Sequence, residues 1–174
     1  MTAIALTQGL VSKESIYEVA TTFEGVAHRL ERVRKVCGVT YYNSSIDSSP
    51  TRTAAALSAL SPQKPIVICG GYDKKISFAP LATALCEHAK AVVLTGATAS
   101  LIREELEKCE LVKAGDLPIL ENSEFEAAVI LAKTIAQKGD IVLLSPACAS
   151  FDAFKNFEER GETFRRIVQN FTEP

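Results

Sequence analysis

Four short apolar runs, at 64–69, 91–95, 117–121 and 141–144, are each closed by turn residues and separated by stretches with helical spacing. An apolar run of this length bounded by Gly, Pro, Asp or Ser reads as a strand buried on both faces. The intervening stretches, 77–88, 97–109 and 123–137, read as helices; in the last, Ser123 and Glu126 stand in the capping-box relation. Strands that alternate with helices of ten or more residues call for a mostly parallel sheet covered on both faces. The predicted fold is α/β: Rossmann-like and doubly wound, with helices on both faces and one antiparallel hairpin strand near the N-terminus.

That hairpin comes from residues 32–37 and 39–43, which flank Gly38 with alternating and β-branched residues. Residues 48–60 then open with Ser-Ser-Pro-Thr and continue as an Ala/Leu helix, with Pro50 in its first turn. Residues 1–24 read as helical: 1–11 as the tail of one helix, and 13–22 as a second, capped by Ser12, with Ile16, Val19 and Ala20 on one face and Gly25 closing it. Residues 158–171 form a closing amphipathic helix.

At 174 residues and 47% hydrophobic content, the chain supplies one ordinary core. A net charge of −2 with dispersed basic residues excludes a nucleic-acid or anionic-membrane surface and favours a small-molecule partner. Five cysteines, an odd number without CxxC spacing, fit reduced thiols in a cytoplasmic protein. Two distant histidines argue against a metal site. No apolar run approaches the roughly 20 residues that span a bilayer.

Parallel sheets hold ligands at the carboxyl ends of their strands. Four suggestive loops fall there: 43–49, 70–75, 95–98 and 145–150. Gly70 and Gly71 give a flexible backbone that a ligand can approach, and Lys74 puts a cation beside them that could meet a carboxylate or phosphate; a solvated turn is the other reading. The spacing is not that of a Walker A loop. After 141–144, Ser150 stands as a helix N-cap, with Asp152 in the first turn and Phe151, Phe154 and Phe157 three apart. Free amides at Phe151 and Asp152 would then seat an anion, or the helix simply packs three phenylalanines into the core. Cys148 has no histidine near it in sequence and reads as a buried thiol; Glu158-Glu159-Arg160 reads as a solvated helix start.

Residues 145–161, SPACASFDAFKNFEERG, resemble the C-terminal signature of the D-glutamate-adding branch of the Mur ligase family, and 70–74 resembles that branch's GGxDK loop. The resemblance covers almost all of 24–171. It implies that 1–24 is the helical tail of a central ATPase domain and 25–174 a C-terminal, D-glutamate-binding domain. It further implies an ATP-dependent, acyl-phosphate route joining D-glutamate to UDP-N-acetylmuramoyl-L-alanine in peptidoglycan synthesis, with ATP and Mg held mainly by the central domain. Lys74 would pair with one carboxylate of D-glutamate. Ser150 and the Phe151 amide would receive the other, with Phe157 lining the pocket and Ser48 in place of a family threonine. His28 and Arg29 match a pair near the nucleotide, and Ser44 falls where an aspartate reaches the ribose. No catalytic residue is implied on this chain, which is expected to be monomeric and inactive alone. The loop at 43–49 departs from the family's Asn-Asp-Ser-Lys-Ala-Thr-Asn: Ser44 replaces the aspartate and Ile46 the lysine, leaving Arg52 or Lys75 as candidates for the lysine's role. The alternatives are the matching domain of another amide ligase, such as a folylpolyglutamate synthetase, and a stand-alone Rossmann-like binding module.

Overall fold

The computed structural model describes residues 5, 9–23 and 25–173, so the helix expected over 1–11 lies mostly outside the described residues. Among the described residues six strands form one sheet, in the spatial order β1-β2-β6-β3-β4-β5. They are β1 (Glu31–Val36), β2 (Val39–Asn43), β3 (Ile66–Cys69), β4 (Ala91–Leu94), β5 (Ile119–Glu121) and β6 (Ile141–Leu144). Only β1 and β2 pair antiparallel, about a hairpin in which Cys37 and Gly38 both have positive φ (53° and 77°), the twist that suits a two-residue turn. The other pairings are parallel, with β6 inserted between β2 and β3: Tyr42 lies opposite Leu143, and Ile68 opposite Leu144.

The helices are α1 (Lys13–Thr22), α2 (Pro50–Leu60), α3 (Ala79–His88), α4 (Ala99–Leu106), the short α5 (Glu110–Lys113), α6 (Phe125–Ile135) and α7 (Phe157–Gln169). Alternate residues of one strand feed opposite layers. Val67, Cys69, Val92, Leu94 and Leu143 pack beneath α2, α3 and α4, whereas Ile66, Ile68, Val93, Val142 and Leu144 pack beneath α6 and α7. All four residues of β3, β4 and β6 are buried, as runs covered on both faces require. Each fully buried Leu or Phe, such as Leu143 and Phe164, contributes roughly 1.5–3 kcal/mol.

The N-terminal helix matches expectation: Ser12 caps α1 by accepting from the Ser15 amide, yet none of the helix's residues is buried. Elsewhere the sequence misleads. Ser123 and Glu126 form no capping box; α6 begins at Phe125, and the Glu124 amide donates to Asn122 Oδ1. The stretch read as one helix over 97–109 ends at Leu106, and α5 follows. Ser150 caps no helix. Its carbonyl accepts from the Ala153 and Phe154 amides in a single turn, and α7 starts only at Phe157, capped by Asn156 Oδ1 on the Glu159 amide. The cysteines are not all free thiols: Cys86 and Cys109 pair as a disulfide, while Cys37, Cys69 and Cys148 remain free. Among the described residues no helix is long and apolar enough to cross a membrane.

Candidate ligand crevice at the carboxyl rim

Because β2, β3, β4 and β6 run parallel, the four loops that follow them gather at one rim. Backbone bonds stitch them together: the Gly70 amide donates to Pro146 O (2.9 Å), the Tyr72 amide to Ala149 O (2.9 Å) and the Thr98 amide to Gly71 O (3.1 Å). Gly70 and Gly71 are required by the chain itself rather than by a ligand. A Cβ on Gly70 (φ 123°) would lie 1.8 Å from Thr95 O, and one on Gly71 (φ 148°) 2.4 Å from Ala149 O.

The exposed Lys74 reaches across this rim and donates from Nζ to Ser48 O at 2.9 Å, so two of the expected D-glutamate residues meet. Ser150 lies on the same side, through the Tyr72–Ala149 bridge, but it is only 2% exposed and forms part of the wall. With no helix starting there, the helix-end anion seat expected at Phe151 and Asp152 is not formed. Phe151 is instead 65% exposed with its ring against Tyr72 (6.1 Å), and the Asp152 carboxylate accepts from the Ala97 amide (3.2 Å). Phe157 stands apart from them, its ring edge-on to His28 at 5.9 Å. Lys75, largely exposed, pairs with Asp73 at 2.7 Å.

A second group gathers at the segment entering β1. Arg29, Ser44, Asp47 and Arg52 line a cavity of about 290 Å³ floored by Leu30 and Ala55. Burial raises the pKa of the Asp47 carboxyl, although hydroxyls of Ser44 and Ser145 and the charges of Arg52 and Arg29 favour its ionised form. Ser145 Oγ donates to Asp47 Oδ2 at 2.8 Å. Arg52 is fixed by a bond from Nη1 to Ile46 O (3.2 Å), which brings a cation to the loop position where the resemblance leads one to expect a lysine. Ser44 Oγ accepts from the Leu30 amide (3.1 Å), so this hydroxyl is already committed to the fold.

Arg29 is exposed, whereas His28 is buried. Its backbone is left-handed (φ 61°), its amide donates to Glu31 Oε2 (2.9 Å), and its ring is buried against Asn43 Nδ2 (3.0 Å), Phe157 and Gly161. The ring is thus packed inside, 3.6 Å from Glu162 at Nε2, while the neighbouring Arg29 lines the cavity.

Arg160, read from sequence as solvated, is 2% exposed and is the residue the sequence most misjudged. Its guanidinium donates to Ser45 Oγ (3.0 Å), Ser45 O (2.9 Å), Cys148 O (3.1 Å) and Ala149 O (3.1 Å). Desolvation lowers its pKa to about 10, which leaves it cationic at neutral pH. The available signal was the true N-cap: Asn156 with Glu159 three residues on starts the helix six residues late and turns Arg160 inward. Cys148 is the buried thiol expected, pushed up to about 11 by burial. Among the described residues, no group of three or more His, Cys, Asp or Glu side chains could hold a metal ion.

A family model described as Mur ligase, glutamate ligase domain, matches residues 28–148. The UDP-N-acetylmuramoylalanine–D-glutamate ligase of Clostridium novyi is 49% identical over 171 residues, covering 98% of this chain and 37% of the relative. The protein of the same name from Clostridium acetobutylicum is 52% identical over 161 residues, covering 92% and 34%. The chain thus spans little more than a third of the length of these relatives. Among solved structures, the bifunctional folylpolyglutamate synthase/dihydrofolate synthase of Yersinia pestis aligns with a TM-score of 0.64 at 15% identity, over 91% of this chain and 35% of that one. A murein peptide ligase of Psychrobacter arcticus aligns with a TM-score of 0.56 at 17% identity, over 99% and 36%. At such identities the likeness is one of fold.

Proposed function

The chain belongs to the Mur ligase family as its glutamate ligase domain, and from that premise we propose that it is the C-terminal, amino-acid-binding domain of a longer ligase that adds D-glutamate to UDP-N-acetylmuramoyl-L-alanine. The observation that carries the reading is Lys74 Nζ on Ser48 O, at a rim stitched to the Ser150 loop. A dicarboxylate amino acid displaces that carbonyl contact: Lys74 takes one carboxylate beside Ser48, and the Ser150–Phe151 segment meets the other as a loop rather than a helix end. Relatives about half identical to this chain carry the D-glutamate name, which favours this substrate over the folate branch that shares only the fold.

The reaction has two steps. The alanyl carboxylate attacks the γ-phosphorus of ATP, releasing ADP and leaving an acyl phosphate; the D-glutamate amine then adds to the acyl carbon, and the tetrahedral intermediate expels phosphate as the nitrogen loses a proton. This domain contributes orientation, which is worth several kcal/mol when an amine is held at its target. Arg29 and Arg52, on the walls of one cavity, suit the phosphates of the nucleotide, with the buried Ser44 holding the Leu30 amide behind them rather than reaching the sugar. Magnesium would partner the phosphates, held mainly by the central domain of the longer enzyme. The enzyme works in the cytoplasm as a monomer, and this chain alone does not turn over.

The test is steady-state ligation by the complete enzyme. Lys74→Ala is expected to raise KM for D-glutamate by tenfold or more, the order for a lost charge-assisted contact, with KM for ATP little changed. An unchanged KM for D-glutamate, or ligation by the 174-residue chain alone, refutes the reading.

A further inference from the structure

A buried cation ordinarily sits against a carboxylate, because an uncompensated charge in a low-dielectric interior is expensive. Arg160 does not. All four of its hydrogen bonds go to neutral oxygens, three backbone carbonyls and one hydroxyl, and no ion pair found among the described residues includes it. Asp152 and Asp47 act on it only at a distance.

What Arg160 touches is more specific than packing demands. Ser45 belongs to the loop after β2, Cys148 and Ala149 to the loop after β6, and Gly71, whose added Cβ would lie 3.2 Å from Nη1, to the loop that carries Lys74. Ser45 Oγ in turn donates to Phe157 O (2.7 Å), which ties the start of α7 into the same knot. One planar fork thereby bonds the loop after β2 to the loop after β6, and the Tyr72 amide on Ala149 O ties the Lys74 loop to the same point. The fork's charge is left over beneath the crevice, beside a cavity of about 20 Å³ shared with Gly71, Thr95 and Asp152.

We propose that Arg160 is a positioning residue for the amino-acid substrate: it sets the separation between Lys74 with Ser48 on one side and the Ser150 loop on the other, and its unmatched positive charge draws the dicarboxylate into the crevice. This rests on the D-glutamate reading above. Arg160 acts through the loops it holds and its field, and an anion at the rim feels that field through protein rather than water.

The experiment compares Arg160→Met, Arg160→Lys and Ser45→Ala in the complete enzyme, measuring KM for D-glutamate, KM for ATP, kcat and the thermal midpoint of each. Arg160→Met is expected to raise KM for D-glutamate about tenfold, the order for removing a charge from a low-dielectric anion site, while KM for ATP stays within about twofold. Arg160→Lys recovers part of the loss, since it restores the charge without the fork. Should Arg160→Met not fold, Ser45→Ala decides: it keeps the cation but frees one arm, and a smaller, D-glutamate-selective rise in KM supports the proposal. An unchanged KM for D-glutamate in a folded variant overturns it, as does an equal rise for ATP and D-glutamate. If the parent enzyme does not use D-glutamate, the functional reading itself fails; if the parent does and the variants are indifferent, only the role of Arg160 fails.

Discussion

Replacing Gly161 by alanine in α7 would ordinarily stabilise a helix by about 1 kcal/mol. Here the new methyl would lie 2.2 Å from His28 Nδ1, 2.8 Å from His28 Cε1 and 3.0 Å from Asn43 Nδ2. The His28 ring is boxed in by Asn43 and Phe157 and is held by a left-handed backbone, so it has to leave its seat. Overpacking of that kind costs about 1–3 kcal/mol. Losing the ring from Asn43 adds roughly 1 kcal/mol, at the low end because Asn43 Nδ2 also donates to Glu31 Oε2 (3.2 Å). Set against the helix gain, the expected net loss is about 1–3 kcal/mol, or a fall in Tm of roughly 3–10 °C for a chain of this size. Thermal melts of Gly161→Ala, His28→Ala and the double variant close the cycle. With the imidazole gone the methyl meets space, and the same substitution should then raise stability by up to about 1 kcal/mol, a reversal of sign that reports coupling between the two sites. A Gly161→Ala chain as stable as the parent, or an identical loss in both backgrounds, refutes the assignment of His28 to packing.

Two more predictions concern protons and thiols. Desolvation raises the Glu31 pKa, but the bonds from the His28 amide and Arg165 and the charges of Arg165 and His28 outweigh it, leaving the pKa below 4.5. A carboxyl depressed in the folded state stabilises above its unfolded pKa and stops doing so as pH falls through the folded one. Tm should therefore hold down to about pH 5 and drop below about pH 4.5; Glu31→Gln lowers Tm at neutral pH and flattens that acid limb, and parallel Tm–pH curves for variant and parent would contradict this. Under native conditions at pH 8, iodoacetamide should label the exposed Cys37 and spare Cys69 and Cys148, which burial has raised far from their thiolates. Peptide mapping that finds Cys148 modified as fast as Cys37 would show the rim to be more open than described.

The parallel sheet was legible because its central strands are buried on both faces and so read as uninterrupted apolar runs, Ile141–Leu144 among them; the insertion of β6 between β2 and β3 was not legible, because burial does not say which neighbours a strand takes. The rim loops followed from strand direction alone. The stretch after Ser150 was not legible, because phenylalanines three apart imitate a helical stripe while serving three separate surfaces. Phe151 lies outside against Tyr72, Phe154 packs on Phe125 at 5.1 Å, and Phe157 opens the real helix against His28. Arg160 was missed for a related reason: charge in a polar first turn reads as surface, and only the tertiary convergence of Ser45, Cys148 and Ala149 gives it somewhere else to go. Arg52 shows the converse. Its cation lies at Ile46 through a backbone bond that residue-by-residue matching of the loop could not reveal.

The two outermost strands of the sheet carry a consequence of their own. β5 is three residues long, and β1 presents Arg32, Arg34 and Lys35, with Arg34 Nη1 folded back to cap Gln169 O (2.6 Å) and Phe171 O (3.0 Å). Neither border invites another strand to zip alongside, since a stub offers too few partners and a guanidinium fringe resists dehydration. The resistance of these borders to fibril-like stacking is written into the same arginine that pins the C-terminal tail.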